Sequence, residues 1–161
     1  NMVCKAADGD VIVHFDSDDW SAPNRIERQV ELFQMEKKAV CGFRRMYFWD
    51  TTKKQAWIYS GASNYVLGTS LMFKRSWWAH NHWDVRFKIG SDNVFTANAW
   101  RQKQLIVSGM TDLMVSRNHG GNTNKRNYGL NWKKTGREIL PVAFFEEPTC
   151  NLLVLEQGVT C

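Results

Sequence analysis

The chain has 161 residues, is 43% hydrophobic and 13% aromatic, and carries a formal net charge of +5 with an isoelectric point near 9.1. This composition excludes a disordered or fibrous segment and fits one globular domain spanning 1–161. No apolar run reaches the roughly 18 residues of a membrane span, and the start lacks the basic-then-apolar build of a signal peptide, so membrane insertion is not expected.

The basic balance suggests an anionic partner: a phosphate-bearing ligand, nucleic acid or an anionic membrane surface, among which charge does not choose. Cys4, Cys41, Cys150 and Cys161 show no C-x-x-C spacing. Scattered in this way they read as reduced thiols, which predicts a reducing, cytoplasmic setting.

In chain order, residues 2–7 read as a short helix and residues 11–15 as a buried strand, because β-branched side chains dominate the second stretch. Ser21 and Pro23 signal a helix start, and Ile26, Val30 and Phe33 repeat at helical spacing through about Glu36. Residues 39–48 and 56–59 read as two strands of an antiparallel hairpin joined by the turn at 50–54. A short strand at 71–74 follows Gly68, Thr69 and Ser70, small residues that let a ligand approach the backbone closely. A helix over 92–103, strands at 104–107 and 113–116, and a polar, glycine-bearing loop over 118–128 complete the readable part. The sum is an α/β fold with a mixed sheet flanked by helices.

Where the first strand ends, VIVHFDSDDW places Asp16, Asp18 and Asp19 within four positions. Such a cluster of like charges must be relieved by water, by protonation or by a cation, and a divalent metal is the sharpest of these. In open α/β sheets the carboxyl ends of strands are also where ligands bind. The structural alternative is a turn and helix-cap cluster, which Asp and Ser favour equally. Of the eight tryptophans, Trp20 beside the acidic loop is the best candidate to stack on a sugar or base, while Trp57 and Trp100 read as core. His80 and His82 have no third ligand at useful spacing and read as surface.

The segment VIVHFDSDDWSAPNRIERQVELF resembles glycosyltransferase family 2, the GT-A-fold enzymes in which an apolar strand, Asp-x-Asp-Asp, a Pro-bearing loop and an amphipathic helix follow one another. Further resemblances are YVLGTSLMFKR over 65–75, like the family's sugar- and acceptor-lining segment; Gly90-Ser91-Asp92, where Ser91 replaces the usual Glu; and Arg117-Asn118-His119, like the late Arg-x-His. The resemblance implies a metal-dependent, inverting transfer from a nucleotide-diphosphate sugar to a glycan, lipid-linked or other hydroxyl acceptor. It implies Mn or Mg held by Asp18, Asp16 and His119, with Asp16 toward the nucleotide ribose. Gly68, Thr69, Arg117 and Trp20 would contact the donor, and Asp92 would be the catalytic base, a role that N-capping its helix does not exclude. Lys125 and Arg126 would add donors for the diphosphate.

In the family the Asp-x-Asp strand follows the first nucleotide-binding βαβ units, whereas here it begins at residue 11. The resemblance therefore predicts an N-terminally incomplete GT-A-like domain, with self-association or a partner segment covering the sheet edge. Two alternatives stay open from the sequence. One is a metal-dependent phosphoryl or nucleotidyl transferase or nuclease; the other is a non-catalytic basic and aromatic module binding glycan or, less favoured, nucleic acid.

Overall fold

A computed structural model describes residues 1–87, 89–122 and 128–146. Helix α1 (Met2–Ala6) leads to β1 (Val11–Val13), β2 (Trp20–Ser21), α2 (Arg25–Glu36), β3 (Val40–Phe43), β4 (Arg45–Asp50) and β5 (Gln55–Ser60). After a 3-10 turn (Gly68–Ser70) come β6 (Met72–Lys74), α3 (Arg75–Trp78), α4 (Ser91–Arg101), β7 (Leu105–Ser108), β8 (Met114–Asn118) and β9 (Trp132–Thr135), then α5 (Ala143–Glu146). Two sheets form, in the orders β1-β6-β3-β7 and β2-β8-β4-β5-β9. Each is mixed, because β3 pairs with β7 and β4 with β8 in parallel while the other pairings are antiparallel.

The expected hairpin is present: β4 and β5 run antiparallel from Arg45↔Ser60 to Asp50↔Gln55. The strand expected over 39–48, however, is two strands in different sheets. Arg44 makes the transfer, since its N–H donates to the Ser108 carbonyl at 2.9 Å beside β7 while its own carbonyl accepts from Gly61 N–H at 2.7 Å beyond β5. The Arg44-Arg45 pair interrupts the apolar run at this point, but two charged residues between apolar segments do not say which sheet the second segment joins.

Helix α2 also differs from its apolar pattern. Ile26 is 45% exposed, and the buried residues are Arg25, Gln29 and Phe33, an i, i+4, i+8 stripe. Only Phe33 is held there by its apolar surface, packing with Cys41, Met72 and Ile106. Arg25 and Gln29 are drawn inward by hydrogen bonds to the turns around the site. Val40, Leu71, Phe73, Phe95 and Trp78 fill the core of the first sheet, each burial stabilising by about 1.5–3 kcal/mol. Among the described residues no helix is long and apolar enough to cross a membrane.

Candidate active site

Four segments converge at the carboxyl ends of strands: the acidic loop after β1, the turn at Gly68–Ser70, the start of α4, and the end of β8. Asp19 is the node among them. Its Oδ2 accepts from Thr69 Oγ1 at 2.8 Å and its Oδ1 from the Arg117 amide at 3.0 Å. Burial raises the Asp19 carboxyl above its ordinary 3.8; the Thr69 and Ser116 hydroxyls and the Arg117 amide oppose that rise, and Asp16 adds to it. In the sequence Asp19 stands out only as one member of the acidic cluster. A carboxylate that ties three distant segments has no local signature.

Asp18 points to a different neighbour. Its Oδ2 lies 2.8 Å from His119 Nε2 and 3.3 Å from Asn122 Nδ2, and its backbone carbonyl accepts from Arg117 Nη1 at 3.0 Å. The Gly121 amide donates to His119 Nδ1 at 3.1 Å, which leaves the ring hydrogen on Nε2, facing Asp18. Asp16 is exposed, so the three aspartates relieve their repulsion by facing three different surroundings.

Beneath the loop, the fully buried Arg25 donates to Ser21 Oγ (2.9 Å), Gln29 Oε1 (3.1 Å), the His14 carbonyl (2.9 Å) and the Thr69 carbonyl (3.3 Å). Burial lowers it to about 10, and Asp19 and Asp16 oppose that fall, so it stays cationic at neutral pH. Gln29 Nε2 adds a bond to the Ser70 carbonyl at 2.9 Å. Together they fasten the acidic loop to the 68–70 turn.

Asp92 does not cap its helix. Gly90 holds the N-cap position at φ 80°, and Asp92 sits in the first turn, where a carboxylate suits the helix dipole. Its carboxylate lies against Gly68: a Cβ built on that glycine would stand 2.2 Å from Asp92 Oδ2 and 2.8 Å from Asp92 Cβ. No larger residue fits at 68 without displacing Asp92. Asp16, Gly68, Thr69 and Asp92 line one cavity of about 770 Å³, together with His14, Trp83 and Phe87. Lys53, Tyr128 and His119 line a smaller hollow of about 290 Å³ beyond the acidic loop.

Trp20 is not part of either space. It is 3% exposed and packs with Tyr47, Trp49, Val115 and Phe144 under the second sheet, because its pairing opposite Val115 turns it inward. It is therefore not available to stack on a ligand. Trp100, expected in the core, is 44% exposed. Lys125 and Arg126 lie outside the described residues.

A divalent cation can be tested against this donor set. Octahedral sites with bonds of about 2.1 Å place adjacent ligands about 3 Å apart, and Asp18 Oδ2 and His119 Nε2 are 2.8 Å apart. The pair fits two neighbouring positions, provided that the hydrogen moves to His119 Nδ1 and the Gly121 amide lets go. Among the described residues no group of three His, Cys, Asp or Glu side chains forms a fuller cage. The remaining positions would fall to phosphate oxygens and water, the usual pattern for such ions.

An acidic loop at the carboxyl end of a strand, facing a second carboxylate across a cavity, lies where α/β folds bind their ligands. The profile of glycosyl transferase family 2 matches residues 1–105, and the chain belongs to that family. The match takes in Asp16, Asp18, Gly68, Thr69 and Asp92 but ends before Arg117 and His119. No curated protein matches the sequence. Among solved structures the fold is similar to that of S. aureus TarS 1-349, with a TM-score of 0.54 and 13% identity, covering 73% of this chain and 38% of that one. At that identity the likeness concerns fold, which is GT-A-like, and this chain spans well under half of the solved one.

Proposed function

We propose that the chain is a metal-dependent, inverting glycosyltransferase that moves a sugar from a nucleotide-diphosphate sugar to a hydroxyl acceptor. The observation that carries this reading is the meeting of Asp18 and His119 at 2.8 Å across 101 residues of sequence, in a chain whose family generally uses nucleotide sugars and a divalent metal. A bound Mn or Mg ion would supply charge neutralisation at the leaving diphosphate. Asp18 and His119 would hold it, with Asp16 at the ribose or a bound water.

Arg117 has its guanidinium on the Asp18 carbonyl and 4.9 Å from the Phe144 ring, a cation near the expected diphosphate. Gly68 and Thr69 allow the donor sugar to approach the backbone. Asp92, across the cavity, takes the proton from the acceptor hydroxyl as its oxygen attacks the anomeric carbon and the bond to the diphosphate breaks. The buried free thiols of Cys4 and Cys41 suit a reducing, cytoplasmic setting.

The test is a thermal-shift screen of nucleotide sugars with and without Mn, followed by assay of sugar release or transfer. Stabilisation by one nucleotide class only with metal, and metal-dependent turnover, is the expected result. Equal stabilisation without metal, or no turnover with any donor, would sink the proposal.

A further inference from the structure

His14 is the residue between β1 and the acidic loop, and every part of it but one is held. Its amide donates to the Leu71 carbonyl at 2.8 Å, and its carbonyl accepts from Arg25 at 2.9 Å. Its ring stacks on Trp83 with centroids 5.2 Å apart and planes 11° apart, and meets Phe73 edge-on at 6.0 Å. Trp83 is itself stacked on Phe95 at 4.2 Å. These ring contacts make Trp83 a wall that fixes the imidazole.

The ring's Nδ1 lies 3.1 Å from the Gly68 carbonyl. A carbonyl only accepts, so Nδ1 carries the hydrogen, and in the neutral ring Nε2 keeps its lone pair. Among the described residues Nε2 has no hydrogen-bond partner, and the residue lines the 770 Å³ cavity that also holds Asp16 and Asp92. The glycine that sets the tautomer of His14 is the one against which the Asp92 carboxylate rests. A locked imidazole with a single open acceptor, coupled through Gly68 to the carboxylate, is suited to fixing a hydroxyl beside that carboxylate.

We propose that His14 is an acceptor-binding residue: its Nε2 accepts a hydrogen bond from a hydroxyl of a polyhydroxylated acceptor and so orients a neighbouring hydroxyl toward Asp92. The inference rests on the glycosyl-transfer reading and adds the substrate contact that the acidic loop and Asp92 do not supply.

Three substitutions separate the ways in which His14 could matter. His14→Phe keeps a ring against Trp83 and removes both nitrogens. His14→Asn keeps a donor near the Nδ1 position for Gly68. His14→Gln places an acceptor near the Nε2 position. The probe is methyl β-D-glucopyranoside, titrated into ring-15N-histidine protein and followed by the His14 nitrogen resonances, with affinities of the variants measured by calorimetry and their folding checked by thermal denaturation. In the wild type the His14 Nε2 resonance should shift on titration. His14→Gln should bind within about threefold of wild type, and the Asn and Phe variants should bind about tenfold more weakly, the scale of one neutral hydrogen bond.

An unresponsive wild-type Nε2 overturns the assignment whether or not any variant folds. So does wild-type affinity in the Phe or Asn variant, or a Gln variant as weak as Phe. Mn-dependent binding of UDP and GDP to the same preparations reports separately on the metal half of the site. Its failure beside an intact glucoside response would count against glycosyl transfer and not against the His14 contact.

Discussion

Around Asp18 and Asp19 the carboxylates are met by protein donors: His119 and Asn122 at one, Thr69 and the Arg117 amide at the other. Across the 68–70 turn, the side chains of Asp16 and Asp92 have no such bond among the described residues, and they face a cavity of about 770 Å³. The contrast is one of preparation. The first half holds its carboxylates in place through protein donors, and at Asp18 those donors must yield before a cation can take their place. The second half keeps its carboxylates unencumbered, as a proton acceptor must be.

Substitutions that separate the two halves should give separable effects. Asp92→Asn keeps shape but removes the proposed base, so transfer should fall by on the order of 10² to 10⁴ while nucleotide affinity stays near wild type; steady-state kinetics beside calorimetry checks both. Asp18→Ala should do the reverse, weakening Mn-dependent nucleotide binding by about 10²-fold or more with the fold intact, since Asp18 is only partly buried and is no part of the core. If Asp92→Asn lost binding and Asp18→Ala did not, the assignment of the halves would be inverted.

Gly68→Ala tests the boundary between them. Its Cβ would displace Asp92, so turnover should fall by roughly 10²-fold, the scale of a misplaced catalytic group, with Mn-dependent binding retained.

Two smaller effects probe the prepared half alone. Thr69→Val removes the hydroxyl that Asp19 accepts and should cost about 1–2 kcal/mol in chemical denaturation. The smallest is a pH effect with an unusual sign. The folded Asp19 carboxyl titrates above 3.8, so between those values the folded state binds the proton more readily. Its contribution to stability therefore rises as pH falls toward 3.8 and declines as pH rises through the folded value. A wild-type minus Asp19→Asn comparison of denaturation against pH should show that slope; the opposite slope would mean that its hydrogen bonds outweigh its burial.

How far the sequence announces all this depends on whether the cause is local. The Asp-x-Asp-Asp loop, the α4 helix and the β4–β5 hairpin follow from neighbouring residues, and all are legible. The exchange of sheets at Arg44 is not, because it is decided by Ser108 and Gly61, far along the chain. Nor is the inward face of α2, where Arg25 and Gln29 displace Ile26 because carbonyls at 14, 69 and 70 await their donors. Trp20 was misleading for a related reason. Its nearness to the aspartates in sequence suggests the site, but a two-residue strand opposite Val115 turns it into the core. Arg117 and His119 were visible through the family pattern alone, since their approach to Asp18 spans roughly a hundred residues.

The amide of Arg117 offers a way to time the acidic loop. Although it belongs to a β-strand, its acceptor is a carboxylate oxygen of Asp19 rather than a neighbouring strand. Its hydrogen can exchange with solvent only when that carboxylate withdraws, whereas the amides of β4 and β8 that lie in the ladder await a larger opening. The exchange rate of this one proton, compared with those ladder amides, therefore measures how often the loop lets go while the sheet stays closed.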